Sequence, residues 1–141
     1  MSQRHFVCVG PNRGGAEMLE LVQGHNRFWM FEPLPEAAAW LREKNAHAAE
    51  VFHVVEAACG ETTGRATLRK YNTGGVSSSL GVCTQQARQM YQQADLTQQG
   101  EVEVQVINLC DFLQWAGVEQ IQTLVTDAQG MDLAILKTME P

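Results

Sequence analysis

The chain of 141 residues is 45% hydrophobic and 18% charged, the balance of a single globular domain spanning residues 1–141. Its formal net charge of −6 argues against a nucleic-acid backbone or an anionic membrane as the main partner, since both reward clustered Lys and Arg. Cys8, Cys59, Cys83 and Cys110 form no CxxC pair and have no histidine at ligand spacing, so they read as reduced thiols, with no metal site expected. No basic-then-apolar leader and no run of membrane-spanning length is found, which predicts a cytoplasmic protein with no membrane or nucleic-acid partner.

In chain order, the apolar run 6–9 predicts a buried strand, and Met18, Leu19, Leu21 and Val22 fall at helical spacing after the glycines. A second strand is predicted over 27–31. Pro35 suits a first helical turn, and 37–46 has high helix propensity, with Trp40 and Leu41 facing the sheet. Residues 51–55 predict a third strand and 66–71 a further one; their closeness predicts a hairpin between them. The Gln-rich stretch 85–99 reads either as a loosely packed helix or as an insertion. Val102, Val104, Val106 and Asn108 alternate onto one face of a strand over 101–109 in a mixed sheet. A short helix over 111–116, a parallel strand over 121–126 and a final helix over 131–137 complete an α/β pattern with crossover connections. Trp29, Trp40 and Trp115 are expected in the core. The four histidines, His5, His25, His47 and His53, have no partner at useful spacing and are read as structural or solvated.

Two of these features point to chemistry. Gly10-Pro11-Asn12-Arg13-Gly14 follows the first strand, and Glu32 stands at the tip of the second. A glycine turn lets a ligand approach the backbone, and an acidic strand tip can accept hydrogen bonds from ribose hydroxyls. The pairing predicts a nucleoside cofactor site.

With the elements placed, the chain resembles the FkbM family of S-adenosylmethionine-dependent methyltransferases along nearly all its length. Val9-Gly10-Pro11-Asn12-Arg13-Gly14 is similar to the family's V-G-x-N-x-G loop, and Phe31-Glu32-Pro33-Leu34-Pro35 to its F-E-P-x-P segment. Ala58-Cys59-Gly60, followed by Gly64, resembles its A-V-G turn, and Ser78-Ser79-Leu80 its S-S-L stretch. Asp127-Ala128-Gln129-Gly130-Met131-Asp132, with Leu133 and Leu136, is similar to its D-V-Q-G-A-E-x-x-x-L signature.

The resemblance implies a Rossmann-like class I methyltransferase sheet, mostly parallel with added antiparallel strands in a three-layer αβα arrangement. It implies S-adenosyl-L-methionine as cofactor and O-methylation of a sugar, lipid or natural-product hydroxyl. Gly10, Pro11, Asn12 and Gly14 would border the cofactor, Glu32 with Pro33 would take the ribose, and Ala57 and Ala58 would flank the adenine. Asp127 would stand near the cofactor's charged end and the acceptor and is the leading catalytic candidate; the alternative is that it only caps the following helix. Asp132 is a catalytic candidate or a first-turn helix carboxylate, and Ser78, Ser79 and Gln129 are candidate acceptor contacts.

The chain departs from the family at Val125, where Lys is usual, at Cys110, where L-D-D reads Leu109-Cys110-Asp111, and at Asp132, where the usual residue is Glu. The family's later strands are not represented, so the chain reads as a partial domain whose strand over 121–126 has an open edge suited to homodimer pairing. A cofactor-binding domain without turnover is the alternative. A nicotinamide-dependent oxidoreductase is a weaker one, because Asn12 stands where G-x-G-x-x-G needs its second glycine.

Overall fold

A computed structural model describes residues 3–10, 26–71, 98–126 and 132–139. The predicted helix after the first glycines, the stretch 72–97 and the segment 127–131 lie outside these residues.

Among the described residues, the central sheet has four parallel strands: β1 (Arg4–Val9), β2 (Asn26–Phe31), β3 (Phe52–Val55) and β7 (Thr123–Thr126), in the order β3-β2-β1-β7. Side chains alternate across it. Phe6, Cys8, Phe28, Met30 and Phe52 form one buried cluster. Val7, Val9 and Phe31 form another on the opposite face, with Leu109 and Leu113 of helix α2 (Leu109–Trp115) and Ile135 of helix α3 (Asp132–Lys137). Burial of both faces explains the near-continuous apolar runs of β1 and β2.

A second sheet contains β4 (Ala58–Cys59), β5 (Gly64–Tyr71) and β6 (Gln98–Ile107), in the order β4-β6-β5. It is mixed, since β6 runs parallel to β4 and antiparallel to β5. Leu68, Val104 and Val106 on one face pack with Ala58, Leu34 and Ala37. The charged side chains meet elsewhere, in the ion pairs Arg65–Glu103 at 2.6 Å and Arg69–Glu101 at 3.9 Å. The arrangement is a mostly parallel central sheet with helices and added antiparallel strands, a Rossmann-like α/β fold.

Several expectations are corrected. The predicted hairpin does not form, because β3 pairs with β2 while β5 pairs with β6. The physical reason lies in their burial: β3 contributes apolar side chains to both faces of the central sheet, whereas the apolar face of β5 is one-sided and is satisfied by β6. Strand β6 begins at Gln98, so the end of the Gln-rich stretch is strand. Asn108 does not continue the Val102-Val104-Val106 face. Its Oδ1 accepts the Asp111 N–H as the N-cap of α2, its Nδ2 donates to the Glu61 carbonyl, and its own N–H donates to Thr63 Oγ1. The capping bond starts α2 at Leu109, two residues earlier than predicted.

Helix α1 (Pro35–Lys44) opens on Pro35 as expected and ends short of Ala46, where a 3₁₀ turn, Ala46–Ala48, follows. Its Leu41 is buried, but Trp40 is exposed, and Trp115 at the end of α2 is 82% exposed. Neither belongs to the core. Trp115 lies against Phe112, which takes the inward position beside Trp29 and Phe31. Only Trp29 of the three packs against the buried cluster.

Candidate functional site

The strand register aligns one end of the central sheet. Val9 pairs with both Phe31 and Thr126, and Phe31 pairs with Val55. All four parallel strands therefore stop at one level, and Gly10, Glu32 and Glu56 emerge side by side. The strand order reverses direction at β1, so the crevice between the ends of β1 and β7 is where an open α/β sheet takes a ligand.

The rim is tied by its own backbone. Gly10 donates its N–H to the Phe31 carbonyl at 2.9 Å, and Glu32 donates its N–H to the Val55 carbonyl at 3.0 Å. Gly10 then turns with φ of +76°, a conformation that a side chain would strain.

Glu32 is 3% exposed, and its Oε2 accepts the Leu34 N–H at 2.8 Å. The bond has a structural consequence that the sequence reading missed. Leu34 is the N-cap of α1 and has no side-chain acceptor, so the carboxylate supplies one close to the start of that helix.

Pro33 is half-buried, and Ala57 is fully buried with its N–H donated to Val55. Ala58 packs beneath the second sheet, against the cluster containing Leu34 and Val106. Gly60 belongs to the same seam: a Cβ there would lie 2.8 Å from Val106 Cγ1. This contact explains the glycine of the A-C-G turn, whose N–H also bonds the Ile107 carbonyl. Cys59 beside it is buried, which pushes its thiol up to about 12 and suits it to packing rather than nucleophilic chemistry.

Gly10, Glu32, Pro33, Ala57 and Ala58 are thus gathered along one rim and its adjoining seam. Asp132 opens α3. Pro11, Asn12, Gly14, Ser78, Ser79, Asp127 and Gln129 lie outside the described residues, although Asp127 follows Thr126 of the rim directly in sequence.

The sequence also missed a cluster away from this rim. His5, Trp29 and His53 stand on adjacent strands, with Trp29 stacked on His53 at 4.5 Å and on His5 at 6.4 Å between ring centroids. Trp29 Nε1 donates to His5 Nδ1 at 3.1 Å. Burial, followed by the Arg27 charge, lowers the pKa of both histidines, with a further contribution from His5 at His53. These rings come together through strand pairing, so their sequence spacing gave no sign of it.

Residues 9–141 match the family model for the methyltransferase FkbM domain. The chain belongs to the FkbM methyltransferase family. Neither a curated protein nor a solved structure matches it. The matched span begins at Val9, the last residue of β1, and includes the ends of β2 and β3. A methyltransferase requires a methyl donor. Among the described residues, no helix of this FkbM chain is long and apolar enough to cross a membrane.

Proposed function

We propose that this FkbM-family chain binds S-adenosylmethionine and methylates a hydroxyl group of a sugar, lipid or natural product. Glu32 carries the reading: a carboxylate buried at the tip of β2, beside the Gly10 turn and oriented by the Leu34 N–H, suits a ribose diol. When bound, the cofactor supplies an electrophilic methyl group on a positively charged sulfur. Gly10 admits its amino-acid end to the backbone, and Ala57 leaves room for a ring. Asp127, next in sequence after β7, orients the acceptor or takes up its proton, and Ser78, Ser79 and Gln129 contact the acceptor. Positioning the acceptor oxygen in line with the methyl group supplies much of the rate, and a base assists an unactivated hydroxyl.

Calorimetry and thermal shift test this reading. S-adenosylmethionine or S-adenosylhomocysteine should bind and raise the melting temperature, because a ligand selective for the folded state stabilises it; NAD should do less. Folded protein giving no heat with either methyl-cycle ligand would overturn it. A second reading, cofactor binding without turnover, is favoured by Val125 and Cys110 at positions where the family is usually polar. A screen over sugar, lipid and small-alcohol acceptors separates the two.

A further inference from the structure

His5, Trp29 and His53 are half-buried on adjacent strands, and no role given to the rim uses them. An indole N–H can only donate, so the bond from Trp29 Nε1 to His5 Nδ1 at 3.1 Å requires a lone pair on that histidine nitrogen. While the bond stands, His5 carries its single ring proton on Nε2. A second proton can enter only at Nδ1, where two N–H groups would then point at each other. Protonating His5 and keeping the bond are therefore mutually exclusive. His53 differs, because it meets Trp29 through its face, with 4.5 Å between ring centroids and 24° between planes, and a charge there leaves the stack in place.

The contacts of Trp29 lead toward the rim. Its ring meets Phe112 edge-on at 5.7 Å, and Phe112 meets Phe31 edge-on at 5.1 Å. Phe31 is fully buried, accepts the Gly10 N–H on its carbonyl and directly precedes Glu32. Among the described residues, the charged and titratable groups that act on His5 and His53 are Arg27, the register partner of His5 on β2, and the two histidines themselves. From α2 the uncharged Phe112 meets Trp29, and beside β7 the main-chain N–H of Gln122 bonds the His5 carbonyl. We propose that His5 is a proton-operated latch for the rim: uncharged, it fixes the Trp29 indole; charged at Nδ1, it releases the indole and slackens the Phe112–Phe31 contact that leads to Gly10 and Glu32. Burial and Arg27 hold the His5 pKa below 6.5, so the latch is closed at neutral pH and opens as pH falls through the lowered value. Its action is independent of which methyl donor the rim takes.

Proton–nitrogen NMR on the full chain from pH 8 to 5 tests the latch. The Trp29 indole N–H signal, assigned with Trp29→Phe, should follow the His5 ring through one titration step and exchange faster with water at its acid end. Exchange of the Gly10 and Glu32 amides, corrected for its intrinsic dependence on pH, should rise severalfold over the same range. His5→Asn offers an amide oxygen to the indole and cannot take up a proton, so the indole signal and both amides should lose this pH response. An indole signal that stays constant while His5 titrates overturns the proposal. So do rim amides that loosen equally in folded His5→Asn, or that ignore the release of the indole. His5→Gln also presents an oxygen acceptor that does not titrate, and it carries the comparison if the asparagine variant does not fold.

Discussion

In the central sheet β1 and β2 are buried on both faces, whereas the second sheet buries one face of its long antiparallel pair and leaves an exposed ion pair outside. The contrast separates two ways of holding a sheet together. In the first, rings and aliphatic chains pack from above and below. In the second, Leu68, Val104 and Val106 lean on Leu34, Ala37 and Ala58, and the charged side contributes little.

Phe28→Ala should show the largest effect. Phe28 is fully buried and stacked between Phe6 and Phe52, with ring centroids at 5.2 and 6.0 Å. Its removal should cost about 3–5 kcal/mol, read by urea unfolding. A loss below about 1 kcal/mol would show that the central sheet is not the stronger of the two.

Glu32→Gln should come next. It keeps an oxygen for the Leu34 N–H and removes the charge, so S-adenosylmethionine binding should weaken by about 1–3 kcal/mol while the fold remains. Equal affinity in calorimetry would place the ribose elsewhere. Glu32→Ala should bind as poorly and also lower the melting temperature, because the Leu34 N–H then loses its buried acceptor.

A smaller effect should follow pH. His5 and His53 have pKa values lowered from 6.5 in the folded chain, so the unfolded state binds protons first as the solution is acidified. The stability they contribute is fully present above pH 6.5 and is lost as pH falls from there through their lowered folded values. Thermal unfolding from pH 8 to 5 should show this loss, and His5→Gln with His53→Gln should reduce the slope. An unchanged slope in the double variant would assign the acid sensitivity to other groups.

The smallest effect belongs to the second sheet's surface. A double-mutant cycle on Arg65 and Glu103, both well exposed, should give about 0.2–1 kcal/mol despite the short contact, because water and salt screen such pairs. A much larger value would mean that the outer ladder holds the sheet together as strongly as its inner face.

What the sequence disclosed follows the same division. Strands β1 and β2 were legible because two-sided burial leaves apolar runs, and Gly10 and Glu32 could be placed at strand ends because each directly follows such a run. The partner of β5 was not, since pairing across the chain between Tyr71 and Gln98 leaves no local trace. Asn108 fitted the alternation of β6 and was a cap. Trp115 was counted as core on its composition, yet Phe112, three residues earlier on the same helix, occupies the inward position. The role of Glu32 in holding the start of α1 was equally invisible, because it depends on a side chain folding back to an amide two residues on.

Asn108 links the two sheets in a way that bears on how the molecule opens. Its side chain and amide fasten the turn at Glu61 and Thr63 to the first turn of α2, whose Leu109 is sunk in the central core. Lifting the small sheet away therefore exposes a helix terminus and disturbs a fully buried leucine together. In native-state hydrogen exchange, amides of β6 near Val106 should share the opening free energy of α2, and Asn108→Ala should let the small sheet exchange as a separate, earlier unit.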